Sequence, residues 1–296
     1  MSQAQLLLDA CPLCAAASFR RLPAFVRDHI VRCEACGFNF SERIPTAEEY
    51  EAVYGEGYDY AAEDARQTEV NRANERAVAN RLAPYLKLGR VVDVAAGAGR
   101  LLLQLGELGF EPHATEFNEE RLRYLRSKGI KAHEGGLFPD LPAESFDVVI
   151  FTEVIEHINN PIPVLANIAN LLRPGGALYV TTPNFDSLER RLLGQDWGMI
   201  LFPEHITYWT PRHIDQAMKN VGLSRASLKA QGVSPFRILQ ALQKRGIGES
   251  LSAEAGSDRV QAAVAGNPGL VLAKKAVNGA LIGLGLGSSI EAIYTK

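Results

Sequence analysis

The sequence predicts a doubly wound α/β protein with a small cysteine-rich module at its N-terminus. From Gly89 onward, short apolar runs typical of strands alternate with helical segments, which is the pattern of a parallel sheet covered by helices on both faces. One strand-to-helix turn, VVDVAAGAGR at residues 91–100, consists largely of small residues. Such a turn opens the ligand crevice of a doubly wound sheet. All four cysteines lie in the first 36 residues, which sets that stretch apart from the sheet.

The composition is that of an ordinary globular protein, with 296 residues of which 47% are hydrophobic and 22% charged. The net charge of -3 argues against a nucleic-acid partner. No run reaches the roughly 18 apolar residues of a membrane span, and no signal peptide is evident, so we expect a cytoplasmic protein. We expect four segments: a four-cysteine zinc-binding module at 1–44, a tyrosine-rich linker or lid with a covering helix at 45–88, the ligand-binding core at 89–230 with an insertion at 184–208, and a helical excursion with a final strand at 231–296.

The cysteines form two C-x2-C pairs separated by eighteen residues: Cys11, Cys14, Cys33 and Cys36. Two such knuckles supply four thiolates to a tetrahedral Zn2+ ion. Two disulfides or a redox pair would use the same residues, but a cytosolic setting disfavours disulfides and a redox pair stands alone. Because four protein ligands leave no open coordination position, we expect a structural zinc that braces a two-stranded ribbon between the knuckles.

The linker PTAEEYEAVYGEGYDY at residues 45–60 begins with a helix-start pattern in Thr46, Glu48 and Glu49. The rest of the linker contains four tyrosines: Tyr50, Tyr54, Tyr58 and Tyr60. Two interpretations stay open, since these side chains could form a lid or substrate wall or could pack the cysteine module onto the main domain. The stretch Glu63–Lys87 then predicts a helix that covers the sheet.

The elements of the sheet follow in order. We predict strands at Arg90–Val94, Pro112–Glu116, Ile130–His133, Phe146–Phe151, Ala177–Thr182, Leu223–Ala230 and Ser289–Thr295. We predict helices at Gly99–Leu108, at Pro161–Leu172, from a cap at Asn118 through Lys128, and from Thr210 onward. Pro174-Gly175-Gly176 predicts a turn, and residues 231–285 are predicted to be mostly helical.

An acid at the end of the second predicted strand restricts the class of ligand that the crevice can bind. Glu116 stands where a carboxylate can accept both ribose hydroxyls of a nucleoside. A dinucleotide site requires G-x-G-x-x-G, but the turn of this chain has Leu102 in place of the third glycine, and a P-loop motif is absent. A ribose-binding acid beside a turn that is not built for pyrophosphate indicates an adenosine ligand without phosphates, such as S-adenosylmethionine (SAM).

These stretches resemble the class I SAM-dependent methyltransferases over about residues 89–228. The resemblance rests on VVDVAAGAGR, on the acid in ATEFN, on GGLFPDLPAESFDVVIFTEVIEHINNP and on LLRPGGALYVTTPN. The cysteine pairs, the linker and FPEHITYWTP resemble a narrower group, the bacterial sugar and secondary-metabolite methyltransferases with an N-terminal zinc-binding module. The resemblance implies a Rossmann-like, mostly parallel seven-stranded sheet, SAM and a structural Zn2+ as cofactors, and a small-molecule acceptor.

The resemblance also implies which residues bind SAM. Asp93, Gly97 and Gly99 would hold the methionyl end, and Glu116 would bind the ribose with Phe117 beside the adenine. Leu137 would offer a backbone contact to the adenine, and Glu153 would face the methionine moiety or the acceptor. One cofactor-binding position departs from the family, which usually has glycine where this chain has Ala95, and a methyl group disfavours a positive φ.

The insertion holds the candidate catalytic residues. A free alcohol is a poor nucleophile, and histidine is the natural base near neutral pH. We predict His205 as general base with Glu204 beside it, in the E-H-x-x-Y pattern that lines the active site of the zinc-carrying sugar methyltransferases. That group often has a tyrosine two residues before the glutamate, where this chain has Phe202. His157, just past the FDVVIF strand, competes for the same role.

Three functions remain open on the sequence. The first is methylation, at oxygen, of a sugar, nucleotide sugar or glycosylated metabolite. The second is an RNA methyltransferase whose zinc module holds nucleic acid. The negative net charge of the chain argues against this function. The third is a SAM-binding protein without catalytic activity, for which Ala95 and Phe202 are the hints.

Overall fold

A computed structural model of the chain describes residues 6–54, 69–232, 269 and 279–296. The strands are β1 (Phe19–Arg21), β2 (Ile30–Cys33), β3 (Asn39–Ser41), β4 (Arg90–Val94), β5 (Glu111–Glu116), β6 (Lys131–Glu134), β7 (Phe146–Thr152), β8 (Leu172–Pro183), β9 (Thr207–Tyr208), β10 (Ser224–Gln231) and β11 (Ser289–Thr295). The helices are α1 (Ala47–Tyr54), α2 (Glu69–Leu82), α3 (Arg100–Glu107), α4 (Glu119–Ser127), α5 (Pro161–Leu171), α6 (Leu188–Leu193) and α7 (Pro211–Asn220).

The main sheet has seven strands in the order β10-β11-β8-β7-β4-β5-β6, which confirms the predicted fold class. Five neighbouring strands, from β8 to β6, run parallel, and β11 lies antiparallel between β8 and β10. The chain runs from β4 outward to β6 and then returns to β7 on the other side of β4. A ligand crevice therefore opens at the carboxyl ends of β4 and β7, where the direction of winding reverses.

Local signals in the sequence set most element boundaries. The Asn118 side chain caps α4 by accepting hydrogen bonds from the backbone N–H of Glu120 at 2.9 Å and of Arg121 at 3.1 Å. Thr46 and Glu49 form a reciprocal capping box, with each side chain accepting from the other's backbone N–H, at 3.2 and 2.9 Å. These caps begin α4 and α1 where the sequence predicted them.

The turn predicted at Pro174-Gly175-Gly176 is wrong, because these residues lie inside β8. The pairing of β8 with β7 shifts register there, between Phe146 and Val148. A Cβ on Gly176 would lie 2.9 Å from the Arg173 carbonyl oxygen and 3.0 Å from that of Asp147. Glycine thus lets an irregular stretch of β8 stay close to its neighbour, and a proline-glycine pair that usually marks a turn here marks a bulge.

A second sheet joins the cysteine module to the insertion. Its order is β1-β2-β3-β9, so the predicted two-stranded ribbon is extended by β3 and by two residues that lie far away in sequence. Phe40 pairs with Thr207, and Asn39 with Tyr208. The Phe38 ring contacts Trp209 with a centroid distance of 4.7 Å. Buried residues of the module and of α7 belong to one hydrophobic core as a result.

Several sequence predictions fall outside the described residues. They concern Tyr58, Tyr60, residues 63–68 of the predicted covering helix, and most of 231–285. Residues 279–284 of that last stretch are helical. In the described ranges, every helix is too short or too polar to cross a membrane.

Candidate active site and cysteine cluster

The small-residue turn after β4 adopts left-handed backbone at three positions. The φ angles are 60° at Ala95, 53° at Gly97 and 63° at Gly99. A Cβ on Gly97 would meet nothing within 4 Å, whereas one on Gly99 would lie 2.7 Å from the Leu125 side chain. Gly97 therefore leaves its backbone open to a ligand, and Gly99 allows α3 to pack closely against α4. The Thr115 hydroxyl fixes the turn by accepting the Ala95 N–H at 3.2 Å.

Two cavities meet along this crevice. The larger, of 1380 Å³, is lined by Asp93, the turn, Glu204 and His205 among others. The smaller, of 650 Å³, is lined by residues that include Phe117, Leu137 and part of α1. Both cavities are lined by Ala95, Glu153, Val154 and His157, so they form one continuous cleft. The structure thus brings most of the predicted cofactor residues together with the predicted catalytic ones.

Two acids line the cleft at the ends of β4 and β7. Asp93 is only 5% exposed, and burial together with the nearby Glu116 raises the pKa of its carboxyl well above the usual range. Within the described ranges, no side-chain or backbone donor hydrogen-bonds to this carboxyl. Glu153 is exposed, and its carboxylate accepts a hydrogen bond from the Thr181 hydroxyl at 2.7 Å. Both groups can accept hydrogen bonds from the amino or hydroxyl groups of a ligand.

Glu116 ends β5 as predicted, but its carboxylate is fully buried at 0% exposure. It accepts hydrogen bonds from the backbone N–H groups of Phe117 at 2.9 Å and Asn118 at 3.3 Å, and Arg121 lies 3.4 Å away. Of the described residues, those lining the two cavities do not include Glu116. The Arg121 side chain, which pairs with this acid, lines the smaller cavity. The predicted ribose-binding role of Glu116 stays a prediction.

The predicted adenine contacts, Phe117 and Leu137, line the smaller cavity. Phe117 is 58% exposed, which is unusual for a phenylalanine and leaves its ring available to a ligand. The Leu137 carbonyl accepts a hydrogen bond from Asn167 at 3.2 Å, which anchors the loop after β6. Because Phe117 and Leu137 face one cavity from two different loops, they can flank a planar group.

His205 and His157 form a pair in the larger cavity. Their ring centroids are 4.7 Å apart. His205 is 7% exposed and hydrogen-bonds through Nδ1 to the Met199 carbonyl at 2.9 Å. Nδ1 of His157 hydrogen-bonds to the Glu204 carbonyl at 2.9 Å. Burial and the neighbouring His205 lower the pKa of His157 to about 4, so His157 stays neutral at physiological pH.

Two residues singled out in the E-H-x-x-Y region do not line the cleft in the described structure. The Tyr208 hydroxyl donates to the His205 carbonyl at 2.9 Å, so this buried side chain orients the backbone of the histidine. The Phe202 ring packs between His29, 5.2 Å away, and the Arg43 guanidinium, 4.9 Å away. The absence of a hydroxyl at position 202 therefore removes no group from the cleft.

The larger cavity also contains a polar network that the sequence did not reveal. The Glu291 carboxylate of β11 pairs with Arg81 of α2 and accepts hydrogen bonds from Tyr179 at 3.2 Å and Gln231 at 3.0 Å. Tyr179 and Glu291 lie on neighbouring antiparallel strands, and alternation along the predicted strands could have placed them on one face. Their register, and therefore their contact, depends on a pairing between distant parts of the chain.

The four cysteines meet at one point in the second sheet. The sulfur atoms lie within 4.8 Å of one another, with Cys11 3.7 Å from Cys36 and Cys14 3.6 Å from Cys33. A tetrahedral Zn2+ with Zn–S bonds of about 2.3 Å requires sulfur atoms about 3.8 Å apart, so the donor set fits this ion. The sulfur atoms are far beyond the about 2.05 Å of a disulfide bond, and all four cysteines are free thiols.

The two knuckles have the same backbone geometry. In each, the first cysteine accepts a hydrogen bond from the N–H four residues later, at 2.8 Å from Ala15 and 3.0 Å from Gly37. These two residues both have positive φ, 61° and 81°. The same backbone geometry around both cysteine pairs is typical of two C-x2-C knuckles that bind one shared metal ion.

Comparisons with known proteins agree with this geometry. A family model described as a methyltransferase domain matches residues 65–228, which is more than half of the chain. A ubiquinone biosynthesis O-methyltransferase of Azoarcus sp. (strain BH72) is 26% identical over 172 residues, covering 52% of this chain and 72% of the relative. Its counterpart in Rhodopseudomonas palustris (strain BisB5) is 30% identical over 146 residues, covering 45% of this chain and 58% of the relative. A SAM-dependent methyltransferase from Archaeoglobus fulgidus shares the fold, with a TM-score of 0.50, 17% identity, and coverage of 76% of this chain and 94% of the other.

Replacing Ala95 by glycine tests the geometry of the turn. Because alanine at φ 60° is strained, we expect Ala95→Gly to stabilise the fold by about 1 kcal/mol, even after the added flexibility of the unfolded chain. The affinity for S-adenosylhomocysteine should be equal or higher. Thermal unfolding and calorimetric titration measure the two effects. Ala98→Gly, at a neighbouring position without positive φ, is the control and should lower stability. A clear loss of affinity in Ala95→Gly would contradict this description of the turn.

Proposed function

This chain belongs to the methyltransferase domain family and is a SAM-dependent methyltransferase, and we propose that it methylates a hydroxyl group of a sugar, a nucleotide sugar or a glycosylated metabolite. One observation carries the proposal. The glycine turn and His205 line the same cavity, so a methyl donor on the turn and a base beside the acceptor would share one space. Positioning of donor, acceptor and base is the main source of rate in such a transfer.

In the proposed reaction, the acceptor oxygen attacks the methyl carbon of SAM as the sulfur–carbon bond breaks. The hydroxyl proton passes to Nε2 of His205. The Met199 carbonyl supports this role, because it can only accept a hydrogen bond and so holds the proton of a neutral His205 ring on Nδ1. Glu204 lines the same cavity, and its backbone carbonyl orients His157. Burial and the neighbouring His205 lower the pKa of His157, which supports a neutral second histidine beside the base.

The charge of the larger cavity supports a neutral reacting group on the acceptor. Burial raises the pKa of Asp93 and Glu156, so these two lining carboxyl groups are left out of the count of negative charges. In the described residues, the other lining carboxyl groups still outnumber the guanidinium groups: Glu75, Glu153, Glu204 and Glu291 against Arg81 and Arg100. A negative field stabilises the cationic sulfonium of SAM and opposes a phosphate next to the methyl group. A nucleotide sugar would then place its sugar inside and its phosphates toward solvent.

A ring hydroxyl of a quinone precursor is the second candidate acceptor. The names of the curated relatives, which are ubiquinone biosynthesis O-methyltransferases, favour it. These names also support methylation at oxygen. The matched stretch spans between about half and three quarters of the relatives' length. The cysteine module favours the sugar candidate instead, because the chain resembles sugar and secondary-metabolite methyltransferases that carry such a module.

An acceptor panel separates the two candidates. The full-length protein is incubated with SAM and either nucleotide sugars and glycosides or catechols of the quinone type, and S-adenosylhomocysteine release and product mass are followed. Methylated sugars with unreacted catechols support the proposal. Methylated catechols alone would replace it by the second candidate.

Truncation of His205 tests the base. We expect His205→Ala to lower turnover of the identified acceptor by about 10²-fold or more, the scale of a lost general base. The affinity for S-adenosylhomocysteine should stay unchanged, which serves as the control for folding. Turnover equal to that of the wild type would exclude His205 as the base and leave His157 as the candidate.

We also propose that Cys11, Cys14, Cys33 and Cys36 bind one structural Zn2+. The matching knuckles and the sulfur spacing support this site. Through β3 the module pairs with β9, three residues or fewer from His205, so the metal would support the acceptor side of the cleft. Asp93 and the glycine turn belong to the other sheet and do not depend on it directly.

Metal removal tests whether the zinc stabilises the cysteine module and β9 but not the cofactor side of the cleft. Freshly purified protein should contain one zinc per chain. Chelation should increase amide hydrogen exchange in β1–β3 and β9, because a small ribbon loses its fold without metal. Exchange in β4 and β7 should change little. Zinc content well below one per chain, or unchanged exchange in β2 and β3 after complete removal, would contradict the proposal.

A further inference from the structure

Helix α1 forms one wall of the smaller cavity. Ala47, Tyr50 and Glu51 line it, and their spacing of three and four residues places them on one face of the helix. Phe117 and Leu137 line the same cavity. The helix belongs to the linker that precedes the main sheet. One wall of the smaller cavity therefore comes from outside that sheet.

Tyr50 is the aromatic side chain of this wall. It is half-buried although it lines a cavity, and burial raises the pKa of its hydroxyl. The sequence left open whether the tyrosines of the linker face a ligand or pack the cysteine module. For Tyr50 the structure favours the ligand, because its ring shares a cavity with the exposed ring of Phe117.

Arg43 fixes the start of α1. Its guanidinium lies 2.8 and 2.9 Å from the two carboxylate oxygens of Glu49, the residue before Tyr50. The same guanidinium lies over the ring of Phe202, 4.9 Å from its centroid. The capping box between Thr46 and Glu49 holds the first turn of the helix from the other side. A single cation thus joins the cavity wall to the segment that carries His205.

We propose that Tyr50 binds the adenosine end of SAM, with its ring closing the smaller cavity over the base, and that Arg43 is the positioning residue that holds it there. The inference rests on SAM binding in this cleft. A planar, neutral base suits the site, because the apolar side chains of Phe117, Leu137 and Ile158 line the same cavity as the tyrosine.

The test is calorimetric titration of the full-length chain with two ligands, S-adenosylhomocysteine and 5′-methylthioadenosine, which lacks the amino-acid part. We expect Tyr50→Ala to weaken both by the same factor, about 10-fold or more, the scale of a lost contact between a base and an aromatic ring. Tyr50→Phe should bind both ligands as the wild type does, since the ring carries the contact. Val53→Ala, on the exposed surface of the same helix, is the control and should change neither affinity.

A double-mutant cycle tests the role of Arg43. Arg43→Gln should weaken both ligands in the wild-type background and add no further loss to Tyr50→Ala, because a positioning residue acts only through the side chain it positions. Additive losses would overturn that role. Unchanged affinity in Tyr50→Ala, or a loss confined to S-adenosylhomocysteine, would overturn the binding role of Tyr50. Failure of the wild type to bind either ligand would overturn the SAM site itself, and the inference with it.

Discussion

The backbone of Ile206 is held from both sides, and the acceptor half of the cleft depends on this. Its N–H donates to the Glu156 carbonyl at 2.9 Å, and its carbonyl accepts from the Ser41 N–H at 2.7 Å. Glu156 belongs to a short 3-10 helix, Ile155–His157, that follows β7 of the main sheet, whereas Ser41 ends β3 of the cysteine module. The residue next to His205 is therefore fixed only when both sheets are in place. The N–H and the carbonyl of Ile206 would each lower the stability of the fold if they were buried without a hydrogen-bond partner. The two hydrogen bonds therefore favour this one arrangement of the segment between the sheets.

The proposed catalytic arrangement depends on these contacts of Ile206. Tyr208 and Met199 fix the carbonyl and the ring of His205, and His157 reaches the same segment through the Glu204 carbonyl. The cofactor half is built differently, from the left-handed turn after β4 and the loops after β5 and β6. The two halves meet at Glu153 and His157, which line both cavities. In the proposed reaction, this arrangement would let the main sheet bind SAM while the insertion sets the acceptor.

Much of the fold could be predicted because its signals are local. The Asn118 cap, the glycine turn and the apolar run of β7 each act through near neighbours in sequence, and each lies where the sequence placed it. What escaped prediction depends on contacts between distant segments. The pairing of β3 with β9 joins residues more than 160 positions apart. The contact of Phe202 with Arg43 also joins distant parts of the chain. The position of Tyr50 likewise depends on where α1 packs, which no spacing within the linker reveals.

We propose, as the central claim, that this cleft binds SAM and that Glu116, the buried acid that pairs with Arg121 of the smaller cavity, accepts hydrogen bonds from the ribose hydroxyls. The most direct measurement is the affinity for S-adenosylhomocysteine of Glu116→Gln beside Glu119→Gln, an exposed acid three residues away on α4. Hydrogen bonds to a charged group contribute about 1.5–3 kcal/mol, so Glu116→Gln should bind at least about 10-fold more weakly while Glu119→Gln binds as the wild type does. Equal affinity in all three proteins would contradict the account.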